Sequence, residues 1–152
     1  MPSRLDIERV RAAVLCLINR ERAAHGERAL RVNAELQGAA QTHTESMAFG
    51  NYVEHVGPNG DTPASRARHA GYMSAANSGF EVGEDIAWGT GRQATPRAIV
   101  AAWMASSGHR ANILNPRFRD TATGVSAHPP VSYSGGRPGG IYTEDFAVIL
   151  PG

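Results

Sequence analysis

The sequence has no lysine and only one cysteine. All fifteen basic residues of the 152-residue chain are arginines, so chemistry that needs a lysine Schiff base is excluded. The single cysteine, Cys16, cannot close an intramolecular disulfide, which excludes a small disulfide-stabilised scaffold. No apolar run approaches the roughly 18 residues of a transmembrane helix, so the sequence predicts no membrane span.

Neither sign of charge is in clear excess. Fifteen arginines face fourteen acidic residues, for a formal net charge of +1, whereas a dedicated nucleic-acid-binding domain has a marked basic surplus. We therefore expect no nucleic-acid partner. The first ten residues, MPSRLDIERV, lack the apolar segment of a secretory signal. Two locations stay open: the cytoplasm, or the cell exterior with a signal peptide that this sequence does not contain.

The first two-thirds of the chain is predicted to be mainly helical. Apolar residues at helical spacing predict an amphipathic helix over residues 5–25 and a second helix over residues 33–49. A threonine followed by a proline, at Thr62 and again at Thr95, is typical of a helix N-terminus. The length suits one domain, 1–152.

The last third of the chain is predicted to form strands. These strands cover residues 123–128 and 141–150, with a further short strand at 131–133. The glycine-rich segment SGGRPGG between them is typical of a hairpin connection. Helices followed by strands favour an α+β fold.

Two histidines and one glutamate are the candidate functional residues. His55 follows a predicted helix and precedes Gly-Pro-Asn-Gly, and His109 follows Ser-Ser-Gly at the start of a short helical turn. Glu84 lies in an otherwise apolar segment, where a charge is costly unless it is paired or functional. No HExxH or CxxC motif is present, so no local sequence pattern identifies a metal site.

Several other polar residues are expected to have structural roles. His43 lies on the apolar stripe of the second helix and is predicted to be a core histidine. Cys16 lies between two leucines and is predicted to be buried and inert. A group of arginines in the middle and later parts of the chain is predicted to be solvated by default: residues 66, 68, 92, 97, 117 and 119.

Six segments of the chain resemble the CAP superfamily, which joins cysteine-rich secretory proteins, insect antigen 5 and plant pathogenesis-related proteins. In order they are INRERAAHGERALRVNAEL, AAQTHTESMA, EHVGPNGDTP, VGEDIAWG, AWMASSGHRANILNP and YTEDFA. The resemblance extends over residues 8–148 and is strongest to the short bacterial members without disulfides. GHRANILNP, after a helix that bears a tryptophan, is the most specific segment.

The resemblance implies an α+β fold, a three-layer α-β-α sandwich around a small antiparallel sheet. It also implies a cleft with two histidines and two acidic residues. Carried over by position, these include His55, His109 and Glu84. The chain departs from the family at Asp85, where asparagine is usual, and at Ser106, which follows Trp103 where eukaryotic members have the second glutamate.

The resemblance also implies an extracellular or envelope protein whose cleft binds a ligand and a divalent metal. Two neutral imidazoles suit Zn²⁺, so His55 and His109 are the candidate metal ligands, with Glu84 as a third ligand or acting through a water. The other interpretation is a polar cluster in which Glu84 hydrogen-bonds one histidine and fixes the loops at the floor of the cleft. We expect the two imidazoles to lie within ~5 Å of each other. One alternative is a metal-dependent hydrolase with these three residues as its catalytic set. A second is a non-catalytic lipid-binding or structural envelope module. The ligand is a small molecule, a lipid or a protein.

Overall fold

The computed structural model describes residues 4–73 and 79–151. Within those ranges the chain forms six α-helices, four strands and one 3₁₀ turn. In chain order these are α1 Arg4–Ala24, β1 Arg31–Val32, α2 Ala34–Gly50, α3 Pro63–His69, β2 Phe80–Thr90, the 3₁₀ turn Gly91–Ala94, α4 Pro96–Met104, α5 Ser107–Ile113, β3 Asp120–Ser126, α6 Val131–Ser134 and β4 Gly139–Ile149.

The four strands form one sheet in the order β1-β3-β4-β2. The three long strands are antiparallel, and the two-residue β1 pairs in parallel with β3. The pairing of β2 with β4 places Glu84 opposite Asp145 and Asp85 opposite Glu144. Since side chains alternate between the faces of a strand, these two pairs lie on opposite faces of the sheet.

Helices cover both faces of the sheet, as the predicted α+β sandwich requires. One face packs against α1, α4 and α5, with the fully buried Trp103 and Phe146 in its core. The other face packs against α2 through Leu36 and Met47. Gly124 of β3 permits close contact with α2, because an added Cβ would lie 2.3 Å from the carbonyl oxygen of Ala40.

Polar caps define the helix starts that the sequence predicted. The side chain of Asn33 accepts from the amide of Leu36 at 2.9 Å, and Thr95 caps α4 in the same way. Thr62 and Ser65 form a reciprocal capping box at the start of α3. These bonds satisfy amide groups that the helix itself leaves without partners.

Three predictions about the helices and strands are wrong. Residues 131–133 form the helix α6, whose N-cap is Pro130, and not a strand. The long strand β2 was not predicted and lies between helices, so helices and strands are interleaved along the chain. Cys16 is exposed, because α1 buries Val14 and Ile18, and a residue two positions from each lies on the opposite side of the helix.

Candidate functional site

The carboxylate of Glu84 is buried in the middle of β2, facing α2 and α3. His55 Nδ1 lies 2.9 Å from Glu84 Oε1. Arg66 Nη2 donates to both oxygens, at 3.2 and 2.9 Å. Burial alone would raise the pKa of Glu84, but the hydrogen bond from His55 and the charge of Arg66 outweigh it and lower the pKa. Glu84 is therefore an ionised carboxylate with both oxygens occupied.

His55 lies on the connection between α2 and α3, with about half of its side chain exposed. The hydrogen bond to Glu84 raises the pKa of His55 more than partial burial lowers it. Since Nδ1 contacts Glu84, the ring orientation is fixed and Nε2 remains available for a ligand. The structure thus brings two of the three predicted site residues into direct contact.

His109 lies on α5 and is partly buried. Burial lowers the pKa of His109, and positive charge on His55 lowers it further. Their predicted separation of ~5 Å stays a prediction. His109 makes no hydrogen bond to Glu84 in the part of the chain that the structure describes, whereas His55 bonds Glu84 directly and His43 Nε2 lies 3.9 Å from Glu84 Oε1.

An asparagine positions the helix that carries His109. Asn112 Nδ2 donates to Asp85 Oδ1 at 2.8 Å and to the carbonyl oxygen of Glu84 at 3.3 Å. Gly83 makes this approach possible, because an added Cβ would lie 2.6 Å from Asn112 Oδ1. The contacts fix α5 to β2, and with it the position of His109.

Arg66, predicted to be solvated, is the main correction at the site. The residue is only 8% exposed, on α3. Its Nη1 donates to Asp61 Oδ2 at 2.9 Å while Nη2 holds Glu84. A signal for this role was present in the sequence: a glutamate in an apolar segment needs a cation, and in a chain without lysine that cation is an arginine or a histidine.

Three further carboxyl groups near Glu84 on β2 and β4 are buried, and none of them was predicted to be part of the site. Asp145, its partner on β4, is buried, and burial together with the charge of Glu84 raises the pKa of Asp145 far above its usual range. Burial raises the pKa of Asp85 to about 7. Burial also raises the pKa of Glu144 to about 8, although Thr123 donates a hydrogen bond to it at 2.6 Å. Burial thus favours the protonated form of all three groups.

The donor set at the cleft fits a metal ion only in part. Across residues 4–73 and 79–151, no group of three or more histidine, cysteine, aspartate or glutamate side chains is arranged to hold a metal. Because Arg66 and His55 occupy the oxygens of Glu84, the nitrogen donors left to a metal are those of His55 and His109.

No helix in the described ranges has the length and apolar character needed to cross a bilayer.

Known bacterial proteins are similar to this chain over most of its length. The curated Bacillus subtilis protein YkwD, described as uncharacterized, is 35% identical over 135 residues, which cover 88% of this chain and 45% of YkwD. An extracellular SCP-domain protein from Bacillus anthracis superposes with a TM-score of 0.73 at 24% identity, over 91% of this chain and 40% of the other.

A third relative is similar in length to this chain. An outer surface protein from Borrelia burgdorferi superposes with a TM-score of 0.69 at 16% identity, covering 88% of both chains. By contrast, this chain spans less than half of YkwD and of the B. anthracis protein. The sequence profile of the cysteine-rich secretory protein (CAP) family matches residues 15–146. The chain therefore belongs to the CAP family.

Proposed function

We propose that this domain is a non-catalytic binding module that acts outside the bacterial cytoplasm and takes its ligand in the cleft between His55 and His109. The observation that carries the proposal is the closed hydrogen bonding of Glu84, whose two oxygens are held by His55 and Arg66. The location is supported by two structural relatives, one described as an extracellular protein and one as an outer surface protein.

The hydrogen bonds to both oxygens of Glu84 argue against the hydrolase alternative. A general base at neutral pH works best with a pKa near 7 and with a free oxygen that reaches the attacking water. The hydrogen bond from His55 and the charge of Arg66 give Glu84 the opposite properties, since its pKa is lowered and both oxygens are engaged. Ser106, where eukaryotic relatives are expected to have a second glutamate, carries no carboxylate. The geometry therefore assigns Glu84 the role of orienting His55.

The arrangement also defines how a metal would be held. A histidine that is bonded through one nitrogen to a carboxylate and offers the other nitrogen to a metal is a common pairing in zinc sites. His55 fits this description, and His109 supplies a second imidazole. Zn²⁺ held by these two residues would supply a positive contact for an anionic ligand group, and its other coordination positions would be open to that ligand.

Calorimetric titration of Zn²⁺ into metal-stripped protein tests the cleft. We expect one site with a Kd of about 1 µM or weaker, because two imidazoles bind less tightly than three or four protein ligands. His55→Ala and His109→Ala should each abolish the binding. His25→Ala is the matched control, since His25 caps the end of α1 through a 2.8 Å contact with Glu21 and should leave the binding unchanged. Binding that survives both cleft substitutions would contradict the proposed site.

A protease assay tests the absence of catalysis. Zn²⁺-loaded protein and its His55→Ala variant are incubated with fluorescent casein, and both should release label at the same background rate. Turnover that requires His55 and is lost in Glu84→Gln would overturn the non-catalytic proposal and favour the hydrolase.

A further inference from the structure

β2 is the outermost strand of the sheet, and one of its two edges has no neighbouring strand. In the described ranges the strand order β1-β3-β4-β2 leaves β4 as its only partner. Each residue of an antiparallel strand directs its N–H and C=O groups to the same edge, and consecutive residues alternate between the two edges. Half of the backbone groups of β2 therefore point away from β4.

The register shows which residues of β2 point away from β4. At the two ends of the strand, the amide of Leu150 donates to the carbonyl oxygen of Gly79 at 2.8 Å, and the amide of Gly91 donates to that of Pro138 at 3.1 Å. The pairing between these ends is continuous, one residue to one residue. The odd-numbered residues therefore bond to β4, and the even-numbered residues of Phe80–Thr90 direct their N–H and C=O groups outward.

The free edge of β2 lies between the two sides of the histidine cleft. The outward carbonyl oxygen of Glu84 accepts from Asn112 Nδ2 at 3.3 Å, so α5, the helix of His109, lies beside this edge. Asn112 also bonds Asp85 on one face of the sheet, while Glu84 bonds His55 on the other face. The edge thus separates His55 from the helix that carries His109.

Beyond Glu84 the outward backbone groups of the edge are unpaired. Across residues 4–73 and 79–151, the N–H and C=O groups of Ile86 and Trp88 make no hydrogen bond. The segment 86–90 also lacks proline, charged side chains and a bulge, which are the features that protect a strand edge from pairing. Four backbone groups at the spacing of a strand are therefore available to a partner.

The arrangement of these four groups defines the chemistry of the partner. The N–H and C=O groups of Ile86 and Trp88 follow one another along an extended edge with a repeat of about 7 Å, which is two residues. A second extended main chain has the same repeat, and it presents a C=O to each N–H and an N–H to each C=O. A lipid chain has no donors or acceptors along its length, and sugar hydroxyls do not alternate in this way. The edge therefore fits a peptide strand.

The side chains beside the edge indicate what the added strand presents. Trp88 lies four residues after Glu84, so its side chain is on the face of β2 that holds His55. The half-buried ring of Trp88 packs against Tyr133, which is 45% exposed. A side chain of an added strand beside Trp88 meets this aromatic surface, which favours apolar residues at alternate positions of the ligand.

We propose that the ligand of the cleft is an extended peptide segment of about five residues, which pairs with the free edge of β2 at Ile86 and Trp88 and extends the sheet by one strand. Five residues at about 3.4 Å each match the stretch from Glu84 to Trp88. The inference rests on the proposed function, because it names the ligand class of the same cleft. Recognition is through the main chain, and the aromatic surface at Trp88 selects the side chain beside it.

The test is a titration of metal-free, ¹⁵N-labelled protein with the blocked peptide Ac-Thr-Val-Thr-Val-Thr-NH₂, followed by amide chemical shifts and amide hydrogen exchange. We expect saturation with a Kd below about 1 mM. The outward amides of Ile86 and Trp88 should exchange at least about tenfold more slowly in the complex, because they gain hydrogen bonds. The amides of Asp85 and Ala87 already bond to β4 and should change little.

Trp88→Pro and Trp88→Ala form a matched pair of variants. Both lose the indole ring, but only proline removes the outward N–H and places its own ring at the edge. Since this N–H makes no bond to β4, proline is compatible with the edge strand. Trp88→Pro should bind the peptide at least about tenfold more weakly than Trp88→Ala.

Three results would overturn the inference: no saturation by the peptide at millimolar concentration, slower exchange at Asp85 and Ala87 in place of Ile86 and Trp88, or equal affinity of the two Trp88 variants. If Trp88→Pro does not fold, the exchange pattern of the wild type decides. Zn²⁺ titration of the wild type reports on the metal site separately. Zn²⁺ binding without peptide pairing contradicts only the strand addition, and peptide pairing without Zn²⁺ binding contradicts only the metal site.

Discussion

Glu84 and Asp85 are neighbours on β2 whose side chains lie on opposite faces of the same sheet. Both are buried, at 6% and 0% exposure. Glu84 meets a guanidinium and an imidazole, and its pKa is lowered; Asp85 meets the amide of Asn112, and burial raises its pKa to about 7. The cost of burial is thus offset by cations at Glu84 and in part by protonation at Asp85.

The difference shows why only one of the two residues organises a cleft. An ionised carboxylate orients the groups that pair with it, so Glu84 fixes both His55 and Arg66. The raised pKa of Asp85 reduces its need for a cation, and its side chain accepts one amide hydrogen bond that anchors α5. Glu84 and Asp85 therefore divide the tasks of orientation and anchoring between them.

The largest effect on stability is expected from removing Arg66, the cation that pairs with Glu84. Arg66→Met keeps much of the side-chain volume but leaves Glu84 buried without its guanidinium partner, which should destabilise the fold by about 3–5 kcal/mol. Urea unfolding at pH 7 measures the loss. Arg68→Met, an exposed arginine on the same helix that lies over the ring of Phe80, should cost no more than about 1 kcal/mol. Equal losses in the two variants would contradict the role of Arg66.

A smaller effect on stability is expected from replacing Asp85. Because the pKa of Asp85 is raised and that of Glu84 is lowered, the contributions of the two residues to stability depend on pH in opposite directions. The pKa of Asp85 is about 7 in the folded chain and about 4 in the unfolded chain, so between these values the native state binds more protons and stability falls as the pH rises. Asp85→Asn removes this loss and should stabilise the protein by about 1–3 kcal/mol at pH 7.

Comparison of Asp85→Asn with the wild type at low pH provides the control. At pH 4 the carboxyl group of Asp85 is already protonated in the native state, so the variant and the wild type should unfold at nearly the same urea concentration. The lowered pKa of Glu84 acts in the other direction, and its stabilising effect is lost as the pH falls through that value. Equal gains for Asp85→Asn at pH 4 and pH 7 would show that the effect is not a titration.

The smallest effect concerns the protonation of His55. Glu84→Gln removes the charge and weakens the hydrogen bond that raise the pKa of His55, so the pKa should fall. Asp85→Asn removes only a more distant charge and should lower it less. Histidine C–H resonances followed from pH 4 to pH 9 give both values. If the pKa of His55 falls further in Asp85→Asn than in Glu84→Gln, Glu84 is not the residue that controls the protonation of His55.

The local features of the fold were predictable because short sequence patterns encode them. The periodicity of α1 and α2 and the N-caps Asn33, Thr62 and Thr95 depend on residues within one or two helical turns. β2 was missed because residues on both of its faces are buried or half-buried, so polar and apolar residues do not alternate along it. The prolines before α6 and its short length left no helical period to detect.

The candidate site was predictable only for residues with an unusual local context. His55 and Glu84 were identified in this way, and the structure joins them. Arg66 and Asp145 were missed, because each acquires its role from a partner 18 or 61 positions away in the chain. Such pairings depend on strand register and helix packing, which no short segment specifies.

Asn112 connects the helix that carries His109 to β2. It lies three residues after His109, so both side chains project from the same side of α5, and its amide ties that side to β2. Replacing it with glutamine would lengthen the arm by one carbon–carbon bond, about 1.5 Å, and should move the His109 helix relative to β2. Because Asn112 also bonds Asp85, the same change would alter the surroundings of that carboxyl group. An uncharged side chain thus acts as the spacer between β2 and the helix that carries His109.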